Sequence, residues 1–311
     1  MKETLSKRPR RGKNQFVTCL FLLALFNPSQ LASEEPSSEE LFVKTFLVEG
    51  VILPEGSISL PEITIDYTGT NHADIAKNLL GESIESETPT GLTRVIDQGF
   101  QKYITTEGKE LFVFPHGGIR FDAPFKSINE MYPTTRPQAE KVLDIFFDNF
   151  NYFPEDATLI STSEINHPEY QSFNNSQGLP LGYSYEYGRY FKNVPIKNDF
   201  VRAVVLGGRV FQFSFSWGSL PEEIEDTNRE LIPSWTAVKD AIEYAYKNFF
   251  AGKFYADVLV TRVQLIYTFD GLQEAWKKDE PKKLVPAWAI QINNKREILI
   301  EAFSGEIIPI Y

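Results

Sequence analysis

Apolar positions recur at helical spacing in two places in the second half of this chain, and each time alternating runs follow. Ala139, Val142, Leu143, Phe146 and Phe150 fall on one face of a helix, as do Trp235, Val238, Ala241, Ile242, Ala245 and Phe249. The first helix is opened by Thr135-Arg136-Pro137-Gln138, a capping-box pattern that predicts a Thr hydroxyl accepting from an N3 amide while Gln138 reaches back. Strand-like runs follow at Thr158–Ile165, Gly182–Phe191, Phe200–Leu206 and Arg209–Trp217, with Gly207-Gly208 supplying the positive φ of a tight hairpin. After the second helix come Asp257–Phe269, Val285–Asn293 and Glu297–Phe303, with Asn293-Asn294 and Ser304-Gly305 as turns.

These two stretches superimpose at a gapless offset of 99 residues. Thr135 falls on Ser234 as a helix N-cap, Asn149-Phe150 on Asn248-Phe249, and Leu159-Ile160 on Val258-Leu259. An internal repeat of this kind implies two α+β modules, each a helix that must bury one face against an antiparallel meander. Ahead of them the pattern is mixed: alternation at Val43–Ile52, Ile58–Tyr67 and Glu110–Phe121, and a short helix at His72–Leu80. The expected organisation is an export signal or N-terminal anchor over 1–33 and a flexible spacer over 34–40. A mainly-β region over 41–128 leads to the first module, 129–218, an acidic linker, 219–233, and the second module, 234–311.

The leader reading rests on Lys2, Lys7, Arg8, Arg10, Arg11 and Lys13 ahead of the apolar run Phe16–Phe26 and Asn27-Pro28. Eleven apolar residues fall short of the roughly 20 that span a bilayer as a helix, so cleavage and export are expected, with a retained membrane anchor as the alternative. Cys19, the only cysteine, lies inside this segment, so no disulfide, thiol nucleophile or cysteine metal site is expected beyond it. An exported protein of this size without disulfides points to a bacterium, most readily a Gram-positive one. The first 32 residues contribute +5 to a formal net charge of −11, leaving −16 for the remainder, which disfavours nucleic acid and anionic lipid as partners.

Catalytic chemistry finds little support. His72, His116 and His167 are isolated, with no His-Glu-x-x-His spacing for zinc. There is no Gly-x-Ser-x-Gly elbow, and Gly117-Gly118 and Gly207-Gly208 sit where hairpins need them rather than in a phosphate loop. Glu164, Glu186 and Glu301 lie in strand runs, where outward-facing carboxylates are ordinary; a glycosidase pair is the minority alternative. No catalytic, cofactor-binding or metal-binding residue is therefore assigned, and no cofactor is expected. Phe, Trp and Tyr make up 14% of the chain. Tyr183, Tyr185 and Tyr187 share one strand face, expected to pack on the helix, with an exposed protein- or sugar-contacting surface as the other reading.

The helix-then-meander unit with Tyr185–Tyr190, Asn193-Val194-Pro195-Ile196 and a hairpin ending in Gly207-Gly208 resembles PepSY-type modules, in which a Gly-x-Pro-Val-like turn links two strands. Leu284-Val285-Pro286-Ala287-Trp288 followed by Ala302-Phe303-Ser304-Gly305-Glu306-Ile307 resembles the closing half of the YycI-like regulatory proteins of Gram-positive bacteria. Gly117-Gly118-Ile119-Arg120-Phe121 in a β-rich leading region fits the same layout, and the resemblance spans about residues 110–311. It implies two tandem PepSY-like modules in a non-catalytic extracytoplasmic protein whose partner is another protein, either a membrane sensor kinase ectodomain or a secreted peptidase. Tyr185, Tyr187, Pro195, Trp288 and Gly305 carry the resemblance and are expected to be structural. The competing reading is a cell-envelope protein that binds or cleaves carbohydrate.

Overall fold

The computed structural model describes residues 42–309 except 55, 69–71, 82–91, 98–99, 115–116, 125–131, 151–152, 167–178, 223, 225–228, 251–257 and 272–279. The leader and spacer, His116, His167 and Trp276 lie outside the described residues. So does the side chain of His72.

Among the described residues the protein is mixed α/β, mostly strand, with three longer helices and one extensive antiparallel-rich sheet. In chain order the elements are β1 (Ser59–Leu60), β2 (Ile63–Ile65), α1 (His72–Leu80), β3 (Leu92–Asp97), β4 (Phe100–Thr105), β5 (Glu110–Val113) and β6 (Ile119–Asp122). Then follow α2 (Arg136–Phe150), β7 (Thr158–Ile165), β8 (Gly182–Phe191), β9 (Val194–Leu206), β10 (Arg209–Ser216) and β11 (Arg229–Glu230). The chain closes with α3 (Ser234–Phe249), β12 (Val260–Phe269), β13 (Lys282–Ile292), β14 (Arg296–Glu301) and β15 (Ile307–Ile308).

Each of α2 and α3 is followed by strands that pair antiparallel in sequence: β7 with β8, β8 with β9, β9 with β10, and again β12 with β13, β13 with β14, β14 with β15. A parallel contact between β9 and β12, Ile196 opposite Tyr267, joins the two sets, and β6 to β3 extend the sheet beyond β10. Tight turns form where residues tolerate positive φ: Gly207-Gly208 at 53° and 74°, Asn293-Asn294 at 54° and 56°, and Lys192-Asn193 at 48° and 65°. Asn193 holds the left-handed conformation that glycine more often supplies, because its short polar side chain permits it.

The strand β9 is longer than the apolar run Phe200–Leu206 predicts. Three residues, Lys197 to Asp199, have no partner on β8, whose Gly188 pairs with Phe200 while Arg189 pairs with Ile196. An odd number of extra residues reverses the side-chain alternation. Burial therefore shifts from the even-numbered Val194 and Ile196, which join one apolar cluster, to the odd-numbered Val201, Ala203 and Val205, which join another.

The first cluster gathers α3 (Ala237, Val238, Ala241, Ile242) with Trp288, Ile290, Ile298 and Ile300, and with Val43, Phe46, Ile63 and Tyr67 from the leading region. The second gathers α2 (Ala139, Leu143, Phe150) with Tyr183, Tyr185, Phe213 and Phe215, and with Ile75, Leu79, Leu111 and Phe121. Residues 41–128 thus divide their apolar side chains between the two cores. Val43–Ile52 alternates without becoming a strand; its pairing is confined to a bridge from Leu47 to Val260.

Both helix starts differ in detail from the capping reading. Gln138 does reach back, accepting from the Thr135 backbone N–H at 2.9 Å, but the Thr135 hydroxyl donates to Gln138 as well instead of accepting from an amide. In α3 Ser234 lies inside the helix, Pro233 is the N-cap with no side-chain cap, and the Ser234 hydroxyl donates to the Pro54 carbonyl. Proline fixes the φ needed at the boundary, which frees the serine to tie down the leading segment.

Candidate functional site

The resemblance-bearing residues are structural elements of the fold. Tyr183 and Tyr185 are buried beneath α2, and Tyr187 packs edge-on to Phe147 and Phe153. Pro195 pairs with Tyr190 in the β8–β9 hairpin. Trp288 is buried and donates from Nε1 to the Ile232 carbonyl, and Gly305 takes φ 79° in the turn before β15. Glu164 and Glu186 face opposite sides of the sheet, since Glu164 lies opposite Tyr183 and Glu186 opposite Ser161. Glu186 pairs with Arg202, and Glu301 accepts from the Phe303 and Ser304 amides. Among the described residues no three His, Cys, Asp or Glu side chains converge as metal ligands.

Two features were not evident from the pattern of the chain. One is an ionic node at the β9 bulge. Asp199, with no side-chain exposure, accepts from the Tyr67 hydroxyl at 2.8 Å and the Gly218 amide at 3.3 Å, and pairs with Arg189 at 2.9 Å. The Arg189 guanidinium also donates to the Gly218 carbonyl, pairs with Asp156 at 2.7 Å and lies 4.6 Å from the Trp217 ring centroid. Burial outweighs these partners and pushes the Asp199 carboxyl up to about 6; burial and the neighbouring Asp199 charge raise the Tyr67 hydroxyl as well. The charged groups of the node are all paired, whereas the buried Trp217 Nε1 lacks a hydrogen-bond partner among the described residues; the node ties β8, β9 and the end of β10 to the leading region.

The other feature is the outer edge of β7. Among the described residues this eight-residue strand pairs with β8 alone, and six of its eight residues are exposed. Its sequence, Thr-Leu-Ile-Ser-Thr-Ser-Glu-Ile, contains no proline or lysine and a single charge, so it lacks the devices that usually protect an edge. Leu159 and Ile160 are 45% and 49% exposed. Ile160 occupies a bulge and lies over Gly188, where a Cβ would meet its Cδ1 at 2.5 Å.

Next to β7 in the sheet is β8, on which α2 rests. The helix packs on β8, β9 and β10. Arg136, Glu140, Asp144 and Asp148 are spaced four apart on it, with Arg136 paired to Glu140 at 2.8 Å. Two of these carboxylates act on the tyrosine row: Tyr185 is pushed up to about 12 by burial and then by Glu140, and Tyr187 is raised by burial, then by Asp144 and Glu140. Tyr183 is raised by burial and then by Glu164.

On the other meander, the corresponding outer side of β12 is occupied from within the chain. The Val48 amide donates to the Val260 carbonyl at 3.0 Å and the Val260 amide to the Phe46 carbonyl at 2.8 Å; further along, Tyr267 meets Ile196 of β9.

No protein-family model matches the chain, and no curated protein matches it. Among solved structures, an uncharacterized protein from Eubacterium rectale ATCC 33656 superimposes with a TM-score of 0.46 at 9% identity, over 84% of this chain and 89% of that one. YycH from Bacillus subtilis superimposes with a TM-score of 0.41 at 12% identity, over 85% of this chain and 56% of YycH, so this chain spans little more than half the length of that protein.

Proposed function

We propose that this is a non-catalytic extracytoplasmic regulatory protein, built from two PepSY-like modules in the manner of YycI-like regulators, that holds a protein partner by strand addition at β7. The reading of residues 1–33 as an export signal or anchor supports an extracytoplasmic location. The observation that carries the binding role is the contrast between the two modules. Under the 99-residue offset Val260 corresponds to Ser161, and the edge filled by Phe46–Val48 in the second module has no strand partner among the described residues in the first. Strand addition supplies main-chain hydrogen bonds for affinity and alternate side-chain contacts for specificity. A sensor kinase ectodomain and a secreted peptidase both offer extended segments that suit such an edge. Burial of Tyr183 and Tyr185 supports this reading over the carbohydrate alternative, which would use that row as an exposed sugar-contacting surface.

The test is photo-crosslinking in a Gram-positive host, with the full chain carrying a photoreactive residue in place of Ser163 and sequencing of the product's N-terminus. The reading predicts one dominant protein adduct that disappears when Leu159→Lys and Ser161→Lys charge the edge. An adduct of unchanged yield in the edge-charged protein contradicts it.

A further inference from the structure

The α2 flank indicates which strand the edge takes. Resting on the assignment of β7 as the docking edge, we infer that the partner segment is basic, with Lys or Arg at alternate positions facing the groove between β7 and α2.

Three observations converge. First, a strand laid against β7 has its helix-side residues next to Leu159, Thr162 and Glu164, the positions opposite Tyr187, Tyr185 and Tyr183. Glu164 lies on that helix-side face, and α2, which packs on the neighbouring β8, carries Glu140, Asp144 and Asp148 four residues apart, so this side is rich in carboxylates, of which Glu140 is neutralised by Arg136; the raised hydroxyls of Tyr183, Tyr185 and Tyr187 agree with it. Second, the acidic row works against its own helix. Like charges four residues apart repel, and α2 has no acidic residue in its first turn and no basic residue in its last, the reverse of what the helix dipole favours. Third, the fold does not require the row, because the corresponding positions on α3 are Lys239, Glu243 and Lys247. A second copy of this chain is a poor occupant, since pairing β7 with β7 brings two such flanks together in a protein of net charge −11.

Selection of displayed random octapeptides on the full chain tests this. Enrichment of peptides with alternating Lys or Arg is expected, and Asp144→Lys with Asp148→Lys should weaken the enriched peptides about tenfold, on the scale of two partly exposed charge pairs. Glu243→Lys on α3 should leave their affinity unchanged. Enriched peptides with no positive bias, lost on charging β7 with Leu159→Lys and Ser161→Lys, overturn the basic preference and leave the docking edge standing. Binding that survives the edge substitutions, or failure to enrich any peptide, overturns both.

Discussion

Arg189 and Asp199 form a salt bridge at 2.9 Å with side-chain exposures of 7% and 0%, and it closes at the one point where β9 departs from regular pairing with β8. A buried carboxylate is retained there because Arg189, the Tyr67 hydroxyl and the Gly218 amide all serve it.

Its titration should be visible in stability. The Asp199 carboxyl is raised from an ordinary 3.8 to about 6, so between about pH 6 and pH 4 the folded protein holds a proton that the unfolded chain releases. This group's contribution therefore grows as pH falls through that window and is lost as pH rises through 6, by at most about 3 kcal/mol. Urea midpoints of the wild type and Asp199→Asn between pH 4 and pH 7 should diverge in favour of the wild type on acidification. The difference isolates Asp199 from Asp156, which faces the same guanidinium, and from other carboxylates that lose ion pairs.

Removing the cation alone should be worse than removing the pair. Arg189→Met leaves Asp199 buried without its counter-charge and should cost about 3–5 kcal/mol at pH 7.5, with a smaller loss at pH 5 where Asp199 is protonated. Denaturant unfolding of Arg189→Met and of Arg189→Met with Asp199→Leu checks this; the double variant should recover part of the loss.

Gly218 meets the leading region without room to spare: a Cβ there would come within 2.0 Å of Ile65 Cγ2 and 3.1 Å of the Asp66 carbonyl. Gly218→Ala should destabilise the protein by about 1–3 kcal/mol, read as a lowered thermal midpoint. Gly271→Ala is the useful contrast, since nothing lies within 4 Å of that site and only its φ of 79° opposes the change.

The α2 flank should show opposed effects on stability and binding. Asp148→Lys removes a like-charge neighbour of Asp144 and places a cation in the last turn, which should stabilise the helix by about 0.5 kcal/mol. The same substitution should weaken capture of a basic segment. Thermal melts and peptide binding on one variant measure both.

Local chemistry made much of this fold legible in the chain. The α1 helix spans His72–Leu80 as its spacing predicts, and Gly207-Gly208 and Asn293-Asn294 turn where residues of that type must. Misreadings arose where tertiary partners decided the outcome. Asp199 closes the polar stretch Lys197-Asn198-Asp199 just before the apolar run Phe200–Leu206, but a bulge turns it inward to Arg189 and Tyr67, more than 100 residues away in the latter case. Ser234 has the chemistry of an N-cap but spends its hydroxyl on Pro54. The β7 edge could not be read from sequence, because Leu159-Ile160 and Val258-Leu259 are alike in type, and only the sheet order reveals which outer edge Phe46–Val48 has filled. The acidic row Glu140, Asp144, Asp148 carries no motif of its own and gains a reading only from the position of α2 on the sheet.

The most direct test of the binding edge is amide hydrogen exchange across Thr158–Ile165 in the full chain, alone and bound to the partner recovered by cross-linking. Strand addition predicts that the outward-facing β7 amides slow at least about tenfold on binding while those of β15 do not change. A bound complex in which β7 exchanges at its free rate would contradict the account.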